Sequence, residues 1–148
     1  MIKFRRVQQS DFDEVLKIEN ECFIDPYKPE DLQYEFNVNP VNKIIIAEQD
    51  KKVVGFIDFI ITFNSASIVQ VAVTKDCRKL GIATQLLNEM ENAFPKTGED
   101  IVEFVTLEVR ESNEAAKALY TKNGYEFVVV KPHYYKDGEN AIYMLKRL

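Results

Sequence analysis

The feature that most constrains the fold is a change of period near the middle of the chain. From Lys43 to Thr74 the apolar residues fall into strand-like runs: "KIIIAE" (Lys43 to Glu48), Val53 to Thr62 and Ala66 to Thr74, separated by the polar turn "QDKK" and by Asn64-Ser65. Such runs predict an antiparallel meander. From Ile82 the repeat becomes helical, with Ile82, Ala83, Leu86, Leu87, Met90 and Phe94 on one face and Pro95 and Gly98 closing it. The basic turn "RKLGIA" (Arg78 to Ala83) therefore lies where a strand hands over to a helix N-terminus.

The flanking sequence extends this reading to βααβββαβαββ. Ile2 to Arg6 reads as a first strand, and "SDFD" offers Ser10 as a helix N-cap with Asp13 three residues on. Phe12, Val15, Leu16, Glu19, Cys22 and Phe23 recur at helical spacing, "DPYKP" interrupts them, and a shorter helix runs from Pro29 to Phe36. Beyond Gly98 come a strand at Val102 to Val109, a helix at Ser112 to Asn123, and strands at Tyr125 to Val130 and Ala141 to Leu148. The fold class is α+β: a mixed, mostly antiparallel sheet flanked by helices. No repeat, low-complexity tract or linker divides the chain, so residues 1–148 read as one domain.

Composition excludes several functions. At 148 residues, 46% hydrophobic and 29% charged, the chain buries enough surface to fold without disulfides or a structural metal. Cys22 and Cys77 match no CxxC or Cys/His metal spacing and read as reduced cytosolic thiols. No apolar run approaches about 18 residues and no signal peptide opens the chain, which predicts a cytoplasmic protein without a membrane span. A net charge of −5 argues against nucleic acid as partner while permitting a small basic site.

The turn Arg78 to Ala83 is such a site. Unpaired N–H groups and the positive helix end point at whatever sits there, and Gly81 lets a bulky anion approach the backbone. It is neither a Walker loop nor a Rossmann fingerprint, and taken alone it also fits an ordinary helix start with two solvated cations.

In combination the motifs say more. "RKLGIA", the element order, "LEVRESNEAAKALYTKNGYEFV" (Leu107 to Val128) and "HYYKDGENAIYML" (His133 to Leu145) resemble the GNAT family of N-acetyltransferases. Within it they look like the RimI-type ribosomal-protein alanine acetyltransferases and the archaeal and eukaryotic N-terminal acetyltransferases. The resemblance implies acetyl-CoA as cosubstrate, held by the strand backbone of Val71, Ala72 and Val73, by Arg78, Lys79, Leu80, Gly81, Ile82, Ala83 and Thr84 at the pyrophosphate, and by Asn113. It implies Glu108 as general base, Tyr120 as general acid beside the cofactor thiol, Tyr134 and Tyr135 on the substrate backbone, and Tyr27 in the loop that shapes the peptide pocket. No metal is implied. The resemblance also implies a protein N-terminus as acceptor, with ribosomal protein S18 as first candidate, and a monomer or weak homodimer is expected. Arg78 and Ala83 follow the archaeal and eukaryotic pattern, and Asn140 stands where Asp is common.

The chemistry fits these residues. Acyl transfer to an amine needs the nitrogen neutral, the carbonyl polarised and the leaving thiolate protonated. Glu108 shares a strand face with Phe104 and Thr106, and partial desolvation there is expected to raise its pKa. It also fits a rim carboxylate answered by Arg110 or by solvent. Tyr120 in "AAKALY" also fits a core aromatic beside Ala116 and Leu119. Two adjacent phenols cannot both face a strand's core, so one of Tyr134 and Tyr135 is expected to face the substrate. His133 receives no role, and Glu21, Asp25, Glu30 and Asp31 read as a solvated acidic face. A small-amine acetyltransferase and a non-catalytic acyl-CoA-binding module stay open on sequence alone.

Overall fold

The computed structural model describes residues 1–37 and 42–148. Its elements are β1 (Ile2–Arg6), α1 (Phe12–Cys22), α2 (Pro29–Asn37), β2 (Asn42–Gln49), β3 (Lys52–Thr62), β4 (Ser65–Val73), α3 (Ile82–Asn92), β5 (Phe104–Arg110), α4 (Glu114–Lys122), β6 (Glu126–Lys131) and β7 (Ala141–Arg147). This is the expected order, in a seven-stranded sheet arranged β1-β2-β3-β4-β5-β7-β6. The β4–β5 pairing is parallel, and β1–β2, β2–β3, β5–β7 and β6–β7 are antiparallel. The chain packs as two compact units, Met1–Ile60 with Val69–Phe94 and Ile61–Ile68 with Pro95–Leu148.

In the first unit β2 and β3 turn at Asp50 and Lys51, whose φ of 51° and 66° are the paired left-handed angles that suit a two-residue hairpin. Val15 and Ile18 of α1 and Leu32 of α2 pack on Ile44, Ile46, Val53, Phe56 and Ala72, all buried. Each such apolar side chain contributes roughly 1.5–3 kcal/mol. Gly55 is required here, because a Cβ would come within 2.9 Å of the Ala72 carbonyl. Along α3, Ile82, Leu86, Leu87 and Met90 are buried as the period predicts.

The start of α1 differs from expectation. Ser10 makes no cap; Asp11 holds the N-cap position, and its carboxylate turns back from the helix, accepting the Gln8 N–H at 2.7 Å and both Arg5 guanidinium nitrogens at 2.9 Å. A carboxylate that satisfies a backbone donor and a cation together outcompetes a hydroxyl for that position. The β3–β4 turn also falls one residue earlier, at Phe63-Asn64, with Phe63 at φ 55°.

In the second unit Ser65, Ala66 and Ser67 of β4 pair with Phe104, Val105 and Thr106. β5 then runs antiparallel to β7 from Phe104↔Arg147 to Arg110↔Ala141, which sets its ends two residues later than Val102 and one later than Val109. α4 is capped by Asn113, whose Oδ1 accepts the Ala116 N–H at 3.1 Å, and Gly124 follows it at φ 96°. β6 carries an irregularity between Phe127 and Val129 before closing on β7 at Lys131↔Ala141. Among the described residues no helix is long and apolar enough to cross a membrane.

Candidate active site

The first unit holds the anion turn. Gly81 caps α3 at φ 81°, a left-handed conformation in which glycine carries no Cβ penalty, and Lys79 is also left-handed at φ 65°. The outer side of Gly81 is open, since nothing lies within 4 Å of an added Cβ. Arg78, Lys79, Leu80 and Gly81 are all exposed, and Leu80 keeps 65% of its surface. The N–H groups of Ile82, Ala83 and Thr84 in the first turn of α3 thus stand behind an exposed, basic loop. That arrangement fits a soluble diphosphate.

Arg78 has a task that spacing does not show. Its Nε donates to the Val73 carbonyl at 3.1 Å and one terminal nitrogen donates to Cys22 Sγ at 3.3 Å. The Cys22 thiol meets the same carbonyl at 3.5 Å, and burial pushes that thiol above its ordinary pKa. Arg78 therefore ties the turn to the end of β4 and to α1. Val73 carries no accessory role for its oxygen, which these two donors occupy, so an assignment of Val73 to the cofactor rests on its N–H.

Tyr27 sits in the α1–α2 connection, where its backbone N–H donates to Glu19 Oε2 at 3.0 Å. Glu19 is fully buried, also accepts from Gln70 Nε2 at 2.8 Å, and is shifted up in pKa by that burial. A glutamate at an apolar-face position of α1 is thus a strut that fixes the loop carrying Tyr27. Burial first, and then the carboxylates of Asp58, Glu35, Glu19 and Asp31, hold the Tyr27 phenol well above its ordinary range. Asp58 itself, 1% exposed on β3, accepts from Asn42 Nδ2 at 2.7 Å and is pushed up to about 7, chiefly by desolvation. Glu21, read from sequence as part of a solvated face, accepts the Lys75 N–H at 2.6 Å and the Thr74 hydroxyl at 3.1 Å.

The second unit gathers the other residues. Glu108 lies on β5 opposite Tyr143 of β7, and its side chain is 24% exposed. Its partner is Lys131, whose Nζ donates to Glu108 Oε1 at 3.1 Å, and that bond raises the lysine pKa. Arg110, which the sequence leaves open as an alternative partner of Glu108, pairs with Asp137 and Glu139 at 2.9 Å each. Glu139 also accepts the Ser112 N–H at 2.8 Å, and its bonds to Ser112 and Arg110 pull its pKa down to about 2.

These contacts build the loop that presents the tyrosine pair. His133, at φ 51°, donates its N–H to Asn140 Oδ1 at 2.9 Å, and Asn140 Nδ2 donates to Glu111 at 3.3 Å. An Asp at position 140 would put a second carboxylate against Glu111, so Asn is the residue this loop accommodates. Tyr134 is 50% exposed while Tyr135 is half-buried under the Arg110 guanidinium, 4.1 Å from its ring centroid. The two rings meet edge-on at 5.0 Å. Both lie in the loop between β6 and β7 rather than in a strand, so strand alternation does not set their directions; Tyr134 is the more exposed of the two.

Tyr120 is 6% exposed and meets Tyr125 edge-on at 5.7 Å. Desolvation raises its phenol above the ordinary range, so it holds its proton firmly. Asn113 spends its Oδ1 on the α4 cap, which leaves its amide nitrogen as the group suited to a ligand. Within the second unit the structure thus brings Glu108, Lys131, Tyr134, Tyr135 and Tyr143 into one cluster. Lys131 and Tyr143 were missed by sequence reasoning, because a strand pairing rather than a motif puts them there.

Known proteins give this arrangement a family. An uncharacterised N-acetyltransferase of Methanocaldococcus jannaschii is 38% identical over 143 residues, covering 97% of this chain and 90% of that protein. An N-alpha-acetyltransferase of Sulfurisphaera tokodaii is 33% identical over 158 residues, covering 96% and 90%. The crystal structure of the ribosomal-protein-S18-alanine N-acetyltransferase from Escherichia coli aligns with a TM-score of 0.87 at 25% identity, covering 99% of this chain and 94% of that one. The Acetyltransferase (GNAT) family model matches residues 12–125, and the chain belongs to that family as an N-acetyltransferase.

Proposed function

We propose that residues 1–148 act as one catalytic domain that transfers acetyl from acetyl-CoA to the α-amine of a protein N-terminus. The observation that carries the reading is the Glu108 cluster: a partly exposed carboxylate on β5 and the exposed phenol of Tyr134, gathered around Lys131 Nζ at 3.1 Å from Glu108 Oε1 and 5.5 Å from the Tyr134 ring centroid. A carboxylate beside phenolic donors suits an acceptor that presents one amine followed by a peptide backbone. The S. tokodaii relative, which is named for this activity, supports the same substrate class. An alanine N-terminus such as that of ribosomal protein S18 is the first acceptor to try.

Acetyl-CoA supplies the acetyl group as an activated thioester. The turn at Gly81 and the N–H groups of Ile82, Ala83 and Thr84 hold its pyrophosphate, with Lys79 adding charge. The backbone of Val71, Ala72 and Val73 N–H pairs with the pantetheine arm, and Asn113 Nδ2 donates to the cofactor. Tyr134 and Tyr135 hold the acceptor backbone, and Tyr27 shapes the pocket for its first side chain. Glu108 takes the proton from the acceptor ammonium, directly or through one water. Tyr120 returns a proton to the leaving sulfur, a transfer its buried phenol suits because a thiolate in the same dry surroundings is also a stronger base. The N–C bond forms as the C–S bond breaks, without an acyl-enzyme; the nitrogen's second proton restores the Tyr120 phenol, and Glu108 releases the first to solvent.

The test is acetyl-CoA turnover against short peptides, polyamines and aminoglycosides. Preference for peptides is the expected result; preference for small amines overturns the acceptor class, and tight acetyl-CoA binding without turnover overturns the catalytic reading.

A further inference from the structure

Lys131 stands beside the base, and both side chains are partly exposed. It lies on β6 two residues past Val129, which pairs with Tyr143 of β7, and Tyr143 in turn pairs with Glu108 of β5. Alternate residues of a strand share a face, so Lys131 and Val129 lie on one side of the sheet and the lysine reaches over β7 to the carboxylate. Its Nζ is 3.1 Å from Glu108 Oε1, 4.6 Å from the centroid of the Tyr143 ring and 5.5 Å from that of Tyr134. The aromatic faces and the carboxylate all stabilise a cation there. The side chain is still 39% exposed, so its charge faces whatever approaches Glu108 from solvent.

We propose that Lys131 is a specificity-determining residue, a fixed cation beside the base that favours acceptor termini with an acidic residue next to the terminal amine and disfavours those with a basic residue there. This rests on Glu108 and Tyr134 being acceptor-side residues. An acceptor brings its amine to Glu108 and therefore brings its second side chain near Lys131 Nζ. A second cation a few ångströms away is repelled, and a carboxylate gains a partner. The same charge disfavours polyamines, which carry further ammonium groups along a short chain. It also favours the neutral form of the incoming amine, the form that reacts.

The experiment compares kcat/KM for three peptides with one common tail, beginning Ala-Asp, Ala-Ser and Ala-Lys, at low and at high salt. For the wild-type chain the Asp peptide should exceed the Lys peptide by about tenfold at low salt, shrinking at high salt as screening sets in. Lys131→Met keeps the apolar stem on Tyr143 and should bring the ratio to within about twofold. Lys131→Glu should invert it, and Lys131→Arg should keep it. The ratio is the readout, so a change in the absolute rate through Glu108 does not enter; thermal denaturation confirms that each variant is folded. An Asp-to-Lys ratio that is unchanged in the Met and Glu variants, or a wild-type preference for Ala-Lys, overturns the role of Lys131 while leaving the N-terminal reading intact. Turnover of spermidine with none of any peptide overturns both.

Discussion

Removing the charge at Asp58 should stabilise the protein at neutral pH and leave it little changed in acid. The carboxyl is 1% exposed, accepts from Asn42 Nδ2 at 2.7 Å and is pushed from an ordinary 3.8 up to about 7, first by burial and then by Glu35 and Glu19. With a folded pKa above the unfolded one, the folded state binds the extra proton between those values. Its stabilising contribution is complete below about 4 and is lost as pH rises through about 7. At ~1.4 kcal/mol per pH unit, the loss totals on the order of 4 kcal/mol. Asp58→Asn keeps an oxygen for Asn42 Nδ2 and adds an amide donor beside Asn42 Oδ1, which is buried without a partner among the described residues. Urea denaturation of both proteins from pH 4 to 8.5 reads the difference. The variant should gain on wild type by roughly 1 kcal/mol per pH unit between about 4.5 and 7, then hold a constant lead. Glu19, also shifted up by burial, leaves a residual slope of the same sign in both proteins. Parallel curves across that window would refute the claim that Asp58 is held protonated by its surroundings.

The site assignments make further predictions. Gly81→Asp should weaken acetyl-CoA binding by about tenfold or more while costing about 1 kcal/mol of stability, because it adds strain at φ 81° and a negative charge at the diphosphate turn; unchanged affinity by titration calorimetry would return the turn to an ordinary helix start. Tyr120→Phe preserves the packing on Tyr125 and removes the phenol proton, so kcat should fall by roughly 10²-fold with acetyl-CoA affinity nearly intact. Normal turnover would leave Tyr120 a core aromatic. Glu108→Gln should lose activity at neutral pH and recover relative to wild type between about pH 7 and 9, as an α-amine of ordinary pKa near ~8 deprotonates in solution. Parallel pH–rate profiles would sink the general-base role.

The parts of this molecule set by short-range periodicity were legible in the sequence. The meander, α3 and the junction at Arg78–Gly81 follow from which residues are apolar and at what spacing, and the structure keeps their order. Positions set by competition between partners were less so. Asp11 rather than Ser10 stands at the N-cap of α1, where its carboxylate binds Arg5 and the Gln8 N–H, contacts visible only once β1 is placed. Left-handed Asp50, Lys51, Phe63, Lys79 and His133 are not glycines and so carry no mark in the sequence. Arg110 shares a face of β5 with Glu108, so the sequence leaves it open as a partner, yet the loop supplies Arg110 with two acids at 2.9 Å. The Lys131–Glu108 pair needs β7 laid between two strands and the irregularity after Phe127. Asp58 is masked by the opposite effect: in "VVGFIDFIIT" it interrupts a strand that reads as apolar, and only burial shows that the carboxyl lies inside.

The most direct test of the account is where the acetyl group goes. The chain is given acetyl-CoA and a peptide that begins with Ala-Ser and carries an internal lysine, and the product is fragmented in a mass spectrometer. The account predicts acetyl on the N-terminal alanine nitrogen, with the lysine side chain unmodified. Acetyl on the lysine, with the terminus free, would contradict it.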